Sequence, residues 1–507
     1  MTTHHTAELA GSEAGDQGVL CIPHADPTGI FWSMQDGRVR LANDPRELHR
    51  PGMSVDPRAV FSLLQFSAVI PPLTPWREVS RLVPGYRYRV TADSIPVQMG
   101  PLPLFQPQRM DSLSSDEQTN LVEALLDQTL VQAARPAVLF SGGTDSGLLA
   151  ARLAALGRKD TLLINYSFGA LDPESRLAES MAAHLGLQFE RITDDPADLT
   201  KCLERPGEVY PFPFSDQSTG PMEALVLAAV RRLGGHECTV FDGTGAGYAF
   251  GECRRIADWQ RVFRIPRPIR KLAGSAYIHF WRRSGAVESY LRILRRSVQM
   301  GFVSAVLAHN PLAGLLYGRT GEAEVHSLLD DWVGNWPIVS VAQQVVAGAL
   351  AMSSANTYAQ KVRPLFQRSG MEVEFPFLSF ELVGLGIHAT DAWAMDEPKA
   401  PLKRLLARSV PPSMVYRPKS AFGDPARRIF RSKAFIECLL DATSRGAPLE
   451  EYLLHQRVRQ AAGLLCGGVE FPIQTLNCLW AIVFLDRWLR TVKSIGAAGA
   501  SMGSITP

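Results

Sequence analysis

Between Ser141 and Ser146 the chain reads Ser-Gly-Gly-Thr-Asp-Ser. Two adjacent glycines, Gly142 and Gly143, let the backbone turn tightly and present successive N–H groups as an anion nest. The apolar run Pro136-Ala137-Val138-Leu139-Phe140 before the turn reads as a short buried strand, and Gly147 to Leu156 after it has helical spacing. The turn therefore opens a helix, whose positive end attracts phosphate. Ser141 and Ser146 add hydroxyl donors, and the Asp145 carboxylate suits a Mg2+ ion bridging phosphate oxygens. Polyphosphate chemistry is the expectation. No G-x-x-x-x-G-K-[ST] run occurs, which excludes a Walker A loop. A second glycine-rich stretch, Gly243-Thr244-Gly245-Ala246-Gly247, lacks the G-x-G-x-x-G spacing of a dinucleotide fingerprint.

The elements around the turn alternate. A second strand is predicted over 161–168, a second helix over 174–185, and a further strand over 238–241 that leads into the second glycine-rich stretch. Strands alternating with helices predict an α/β fold with a parallel, doubly wound sheet and ligands at its C-terminal edge. After residue 250 the pattern is mostly helical. Upstream, residues 18–108 hold short apolar segments punctuated by Pro and Gly, with a turn at Asp36-Gly37, and predict a small β-rich module. Residues 102–115 read as a linker, and Ser115 to Gln118 as a capping box opening a helix that carries Leu121, Val122, Leu125, Leu126 and Leu130. The expected organisation is a mobile tail over 1–17, the β-rich module over 18–108, a nucleotide-binding domain over 109–495 and a second mobile tail over 496–507.

Composition excludes several classes. With 20% charged and 46% hydrophobic residues the chain is globular, and a net charge of +2 is too balanced for a general nucleic-acid or membrane-surface binder. Seven cysteines without a C-x-x-C pair give neither a disulfide scaffold nor a zinc site. No secretory signal is present, and the longest uncharged apolar stretch, Thr475 to Leu485, ends at Asp486 and Arg487. A soluble, cytoplasmic protein is expected, with no nucleic-acid or membrane partner. Charge is unevenly spread: residues 251–300 hold twelve arginines and lysines against three acidic residues, with aromatics interleaved. That segment reads either as a solvated helical face or as a docking surface for an acidic peptide or another anionic partner.

The Ser141–Ser146 turn resembles the PP-loop of ATP pyrophosphatases, which cleave ATP to AMP and pyrophosphate. Other segments resemble asparagine synthetases, in family order. VFDGTGAGYAFG (240–251) resembles their second ATP-site loop, and GMEVEFPFLSFELV (370–383) their Gly-Leu-Glu-Val-Arg-x-Pro-Phe-Leu-Asp segment. APLKRLLARSVPPSMVYRPKSAFGDP (400–425) resembles their Lys-x-x-Leu-Arg helix and the Arg-Pro-Lys-x-x-Phe that follows it. LNCLWAIVFLDRWLR (476–490) is similar to their closing helix, and residues 61–90 to the end of a degenerate glutaminase-like (Ntn-type) front module. The resemblance implies an ATP- and Mg2+-dependent synthetase that adenylates a carboxylate and joins it to an amine. Ser141, Gly142, Gly143, Asp145 and Ser146 would then bind pyrophosphate and Mg2+, with Gly243 and Gly245 on the second loop and Leu139 and Gly370 against the adenosine. Lys419 would stabilise charge developing at the α-phosphate. Glu372 would help deprotonate the attacking amine. Lys403 would either contact phosphates or be a surface lysine on an amphipathic helix.

Two departures shape the expectation. Thr2 stands where the family carries its glutaminase cysteine, Cys21 is internal, and the front module is much shorter than the family's. The nitrogen nucleophile is then an amine carried by the substrate. Gly247 stands where the family has an aspartate that ligates metal, which leaves two alternatives: Asp242 on the same loop substitutes as the ligand beside Asp145, or the metal site is weakened or lost. Branches of the family without the cysteine, the β-lactam synthetases and lasso peptide cyclases, close rings by intramolecular amide formation. The short front module and basic helical segment are most similar to the lasso cyclases. A precursor peptide would be the substrate, with a leader peptidase and a leader-recognition protein as possible partners. The alternatives are an asparagine synthetase or other small-molecule amidoligase, and a non-catalytic peptide-binding scaffold.

Overall fold

The computed structural model describes residues 18–106, 114–167, 172–193, 196–234, 238–251, 253–275, 286–310, 313–318, 321–338, 340–390, 397–417 and 428–502. The front module is built from six short strands: β1 (Gly18–Cys21), β2 (Phe31–Gln35), β3 (Arg38–Ala42), β4 (Ser80–Arg81), β5 (Tyr86–Val90) and β6 (Val97–Pro101). They form two antiparallel three-stranded sheets, ordered β1-β5-β6 and β3-β2-β4. The β2–β3 hairpin turns on Asp36 and Gly37, both at positive φ (54° and 75°), the conformation a two-residue turn needs to match strand twist.

The second unit carries a five-stranded parallel sheet made of β7 (Ala137–Leu139), β8 (Leu162–Ser167), β9 (Gln188–Thr193), β10 (Thr239–Phe241) and β11 (Glu372–Glu374). Its order, β11-β10-β7-β8-β9, means the chain winds outward from β7 through β8 to β9, then returns to the other side of β7 to lay down β10. The winding direction reverses between β7 and β10. A reversal of this kind opens a crevice at the carboxyl ends of the two strands, where α/β sheets bind ligands. The helices Thr144–Ala155, Pro173–Leu185 and Thr219–Leu233 connect these strands, so the doubly wound α/β expectation holds.

Two expectations shift in detail. The helix Ser115–Leu130 is capped by Ser114, not Ser115: the Glu117 amide donates to Ser114 Oγ at 3.3 Å, and the Ser114 amide donates to Glu117 Oε2 at 2.7 Å. Both registers fit the Ser-x-x-Glu/Gln spacing, and the structure adopts the one in which Ser114 and Glu117 satisfy each other's amides. The closing helix runs Ile473–Met502, past residue 496 where a tail was expected to begin. The residues of the first tail, 1–17, lie outside the described ones.

One continuous hydrophobic core joins the front module to the rest of the chain. Trp76 packs against Trp488 of the closing helix at 5.2 Å between ring centroids, and Trp332 Nε1 donates to the Pro84 carbonyl. Arg81 is fully buried at the junction, where it donates to Asn356 Oδ1 at 2.7 Å and lies over the rings of Phe31 and Phe212. Among the described residues no helix is long and apolar enough to cross a membrane. The apolar face of the closing helix is instead core, with Trp480, Phe484 and Trp488 fully buried.

Candidate active site

At the end of β7, Leu139 is buried and the chain enters the phosphate-type loop. Gly142 takes φ +67°, and a Cβ there would lie 2.7 Å from the Ala178 Cα, so conformation and space both require glycine. Gly143 caps the Thr144–Ala155 helix without any side-chain hydrogen bond, and the first helical bond runs from the Gly147 amide to the Gly143 carbonyl. A helix end of this kind presents first-turn amides that no intrahelical acceptor satisfies. Ser146 Oγ accepts from the Ser141 amide at 3.2 Å and lies 3.2 Å from Ser141 Oγ, which fixes the curl of the loop. Asp145 projects from the first turn.

The loop after β10 meets it across the crevice. A Cβ on Gly243 would sit 2.9 Å from Asp145 Cβ and 3.3 Å from the Ser146 nitrogen, so the two loops approach to backbone distance. Gly245 takes φ +104° to start the short Ala246–Phe250 helix. Asp242, immediately after β10, is buried; its side chain accepts from the Thr244 amide at 2.8 Å, and its own amide donates to the Glu374 carbonyl. Burial raises the Asp242 carboxyl above the ordinary carboxylate range, the Thr244 contact and the charge of Lys361 oppose this, and the charge of Asp145 adds to it. The carboxylates at the ends of β7 and β10 thus feel each other. Lys361 is itself buried, donating to Asp216 Oδ2 at 2.7 Å and Ser218 Oγ at 2.8 Å and lying over the Tyr358 ring.

A third segment closes over the crevice. Lys399, at φ +62° and preceding the Ala400–Leu406 helix, donates to both oxygens of Asp145 at 2.7 and 2.5 Å. A Cβ on Gly247 would find Lys399 Nζ at 4.0 Å, so the ammonium lies on the side where the missing aspartate would stand. Arg417 donates to the Gly142 carbonyl at 3.0 Å and lies 4.0 Å from Glu174. The sequence reading placed weight on Lys403 and Lys419 and passed over Lys399, Lys361 and Arg417. Lys403 pairs with Glu397 and lies over the Tyr416 ring. Lys419 lies outside the described residues. No sequence pattern marked Lys361, since Arg363 follows two residues later and the local stretch does not read as buried.

Glu372 is not brought into this cluster. It opens β11 opposite Thr239, at the end of the strand away from Asp242, and is exposed. Its apolar neighbours Met371 and Val373 are buried, and the period of two in a strand puts the residue between them on the open side. Arg363 is near enough to feel its charge. Gly370, at φ +69° with open space on its Cβ side, turns the chain into β11.

The donor set fits a hard cation held jointly with phosphates. Among the described residues no group of three His, Cys, Asp or Glu converges, but Mg2+ is commonly held by one or two carboxylates, with substrate phosphates and waters completing the shell. Asp145 and Asp242 are the two that would hold it, once Lys399 yields its place on Asp145 or shares it.

Comparison with known proteins agrees with this arrangement. The asparagine synthase family model matches residues 118–490, from inside the Ser115–Leu130 helix to the closing helix. No curated protein matches the chain. Among the solved structures that match is a predicted subunit of a tRNA methyltransferase from Methanocaldococcus jannaschii, 31% identical over 22% of this chain and 52% of that one, with a TM-score of 0.16. That overlap is local, spanning about half of the other protein, and carries no argument about the whole fold. The matched span holds every strand of the parallel sheet and both loops that face the β7–β10 crevice, and the chain belongs to the asparagine synthase family.

Proposed function

We propose that this protein is an ATP-dependent, AMP-forming amide-bond synthetase that adenylates a carboxylate of a precursor peptide and closes a macrolactam on the peptide's own amine. The observation that supports it best is the meeting of two loops at the β7–β10 reversal, with an uncapped helix N-terminus on one and a buried carboxylate on the other. The amides after Gly143 and the Ser141 and Ser146 hydroxyls bind the β- and γ-phosphates, which leave together as pyrophosphate. Asp145 and Asp242 would hold Mg2+, which when bound neutralises charge on the phosphates. Lys399 and Lys419 supply positive charge near the α-phosphate as the peptide carboxylate attacks it. In this reading the peptide's own amine is the nucleophile.

Incubation with ATP, Mg2+ and a short peptide encoded beside this gene should yield AMP, pyrophosphate and a peptide lighter by one water. ADP and phosphate as the main products would overturn the reading. Glutamate or asparagine formed from glutamine, aspartate and ATP would return the chain to the asparagine synthetase reaction. The double contact of Lys399 with Asp145, beside Gly247, favours a second reading, a peptide-binding scaffold without catalysis. Binding of the peptide without any nucleotide turnover would establish it.

A further inference from the structure

The basic segment is more than a solvated face. Its helices Cys253–Arg264, Arg267–Ser275 and Ala286–Gln299 use some arginines as internal ties. Arg270 is buried and donates to the Ile265 and Ser297 carbonyls, and Arg296 donates to the Ala305 and Ala308 carbonyls while lying over the Trp259 ring. Arg267, Arg292 and Arg295 stand with Arg296 on the wall of one cavity of about 480 Å³, where Glu322 is the one lining carboxylate among the described residues. That volume lies within the ordinary range for a ligand pocket.

The cavity also holds polar atoms left without partners. His326, more than nine-tenths buried, has neither ring nitrogen hydrogen-bonded, and buried Asn310 has an unpartnered Oδ1. Burial holds the His326 imidazolium down to about 4, and the charge of Arg296 pushes the same way, so the surroundings of that ring are already positive. A lining with four guanidinium groups, one carboxylate and an imidazole that can donate one N–H is complementary to an anion that brings several acceptor oxygens, while Asn310 Oδ1 can only accept and does not help to hold it. Guanidinium forks match carboxylates two bonds at a time.

We propose that this cavity is a docking pocket for the acidic side chains of a peptide segment, separate from the β7–β10 crevice. It deepens the peptide-substrate reading given above and rests on it for the choice of a peptide over other polyanions. A segment with two neighbouring carboxylates would pair with Arg292 and Arg295 at the mouth, while Arg296 keeps its structural bonds. Docking there would anchor a stretch of the substrate remote from the reacting carboxylate and leave the reacting end free to reach the crevice.

The test is fluorescence anisotropy with a labelled oligoglutamate, without nucleotide, beside an oligolysine of equal length. Oligoglutamate should bind, more weakly at higher salt, and oligolysine should not. Arg292→Glu combined with Arg295→Glu should weaken binding at least tenfold. Glu322→Gln, which removes the one lining carboxylate, should tighten it, an effect that damage to the fold would not produce. A nucleotide-induced melting shift retained in both variants establishes that they are folded. Unchanged affinity in the arginine variant overturns the proposal. So does displacement by inorganic phosphate as effective as by free oligoglutamate, which would make this a small-anion site. Because the assay contains no ATP, its failure leaves AMP formation standing, and failure of AMP formation leaves this binding standing.

Discussion

Asp242 sets function against stability at a single residue. Its folded-state pKa is raised, chiefly by burial, so the protonated form is favoured by the folded protein. The associated stability is fully present below the unfolded value near 4 and is lost as pH rises through the raised value. Asp242→Asn keeps an oxygen for the Thr244 amide and removes the buried charge. Its melting temperature at pH 7.5 should exceed that of the wild type by on the order of 2 °C, and the gap should close toward pH 4. AMP formation by the same variant should fall about 10²-fold or more. A variant that is less stable at pH 7.5 would show that Lys361 and Thr244 more than offset the burial. Lys399 supports a second prediction. It pairs with Asp145, and a triphosphate seated in the crevice would compete for that ammonium. Lys399→Met should raise the KM for ATP about tenfold, roughly 1.4 kcal/mol, with little change in melting because the pair is partly exposed. An unchanged KM would place the lysine outside the nucleotide's reach.

The elements explain how much of this was legible beforehand. The loop after β7 could be read because its glycines, hydroxyls and strand–helix flanks are contiguous, and the structure keeps them so. Asp242 was reached through the family resemblance, as the carboxylate on the loop where Gly247 lacks the family's aspartate. Lys399 was missed because its importance comes from a left-handed turn that swings it back over a loop far away in sequence, and Lys403, one helical turn on, has the same local pattern. Glu372 alternates with the buried Met371 and Val373, so the period of two in the sequence already pointed to the open side of β11, and only the position of that side relative to Asp242 needed the structure. β9 was also passed over, since Gln188–Thr193 places Glu and Arg inside a strand whose partner, β8, covers one edge only. The meeting of loops makes its own prediction. Gly243→Ala inserts a methyl 2.9 Å from Asp145 Cβ, so it should lower kcat/KM for ATP at least tenfold, roughly 1.4 kcal/mol, while the far-ultraviolet dichroism stays that of the wild type. Wild-type kinetics in that variant would mean the loops separate freely.

For the whole molecule, the front module and the nucleotide-binding unit share one core, and Arg81 is its least replaceable part. Burial pushes its guanidinium down to about 10, and only the charge of Asp26 opposes this. Removing the side chain would leave a large cavity and strip Asn356 Oδ1 of its donor. Arg81→Ala should cost about 3 kcal/mol or more. Calorimetry should show one cooperative transition that moves down intact; two separated peaks would mean the modules fold independently.

The reversal between β7 and β10 has a practical side. The loop at Ser141–Ser146, the loop at 242–247 and the segment around Lys399 come from three distant parts of the chain, and a nucleotide seated among them would act as a removable staple. Unfolding would have to release it, so apparent stability rises with the logarithm of ligand concentration over Kd. The protein therefore carries its own reporter for the substrates it binds. A thermal-shift panel of nucleotides, run with and without candidate peptides, would rank them before any product chemistry is known.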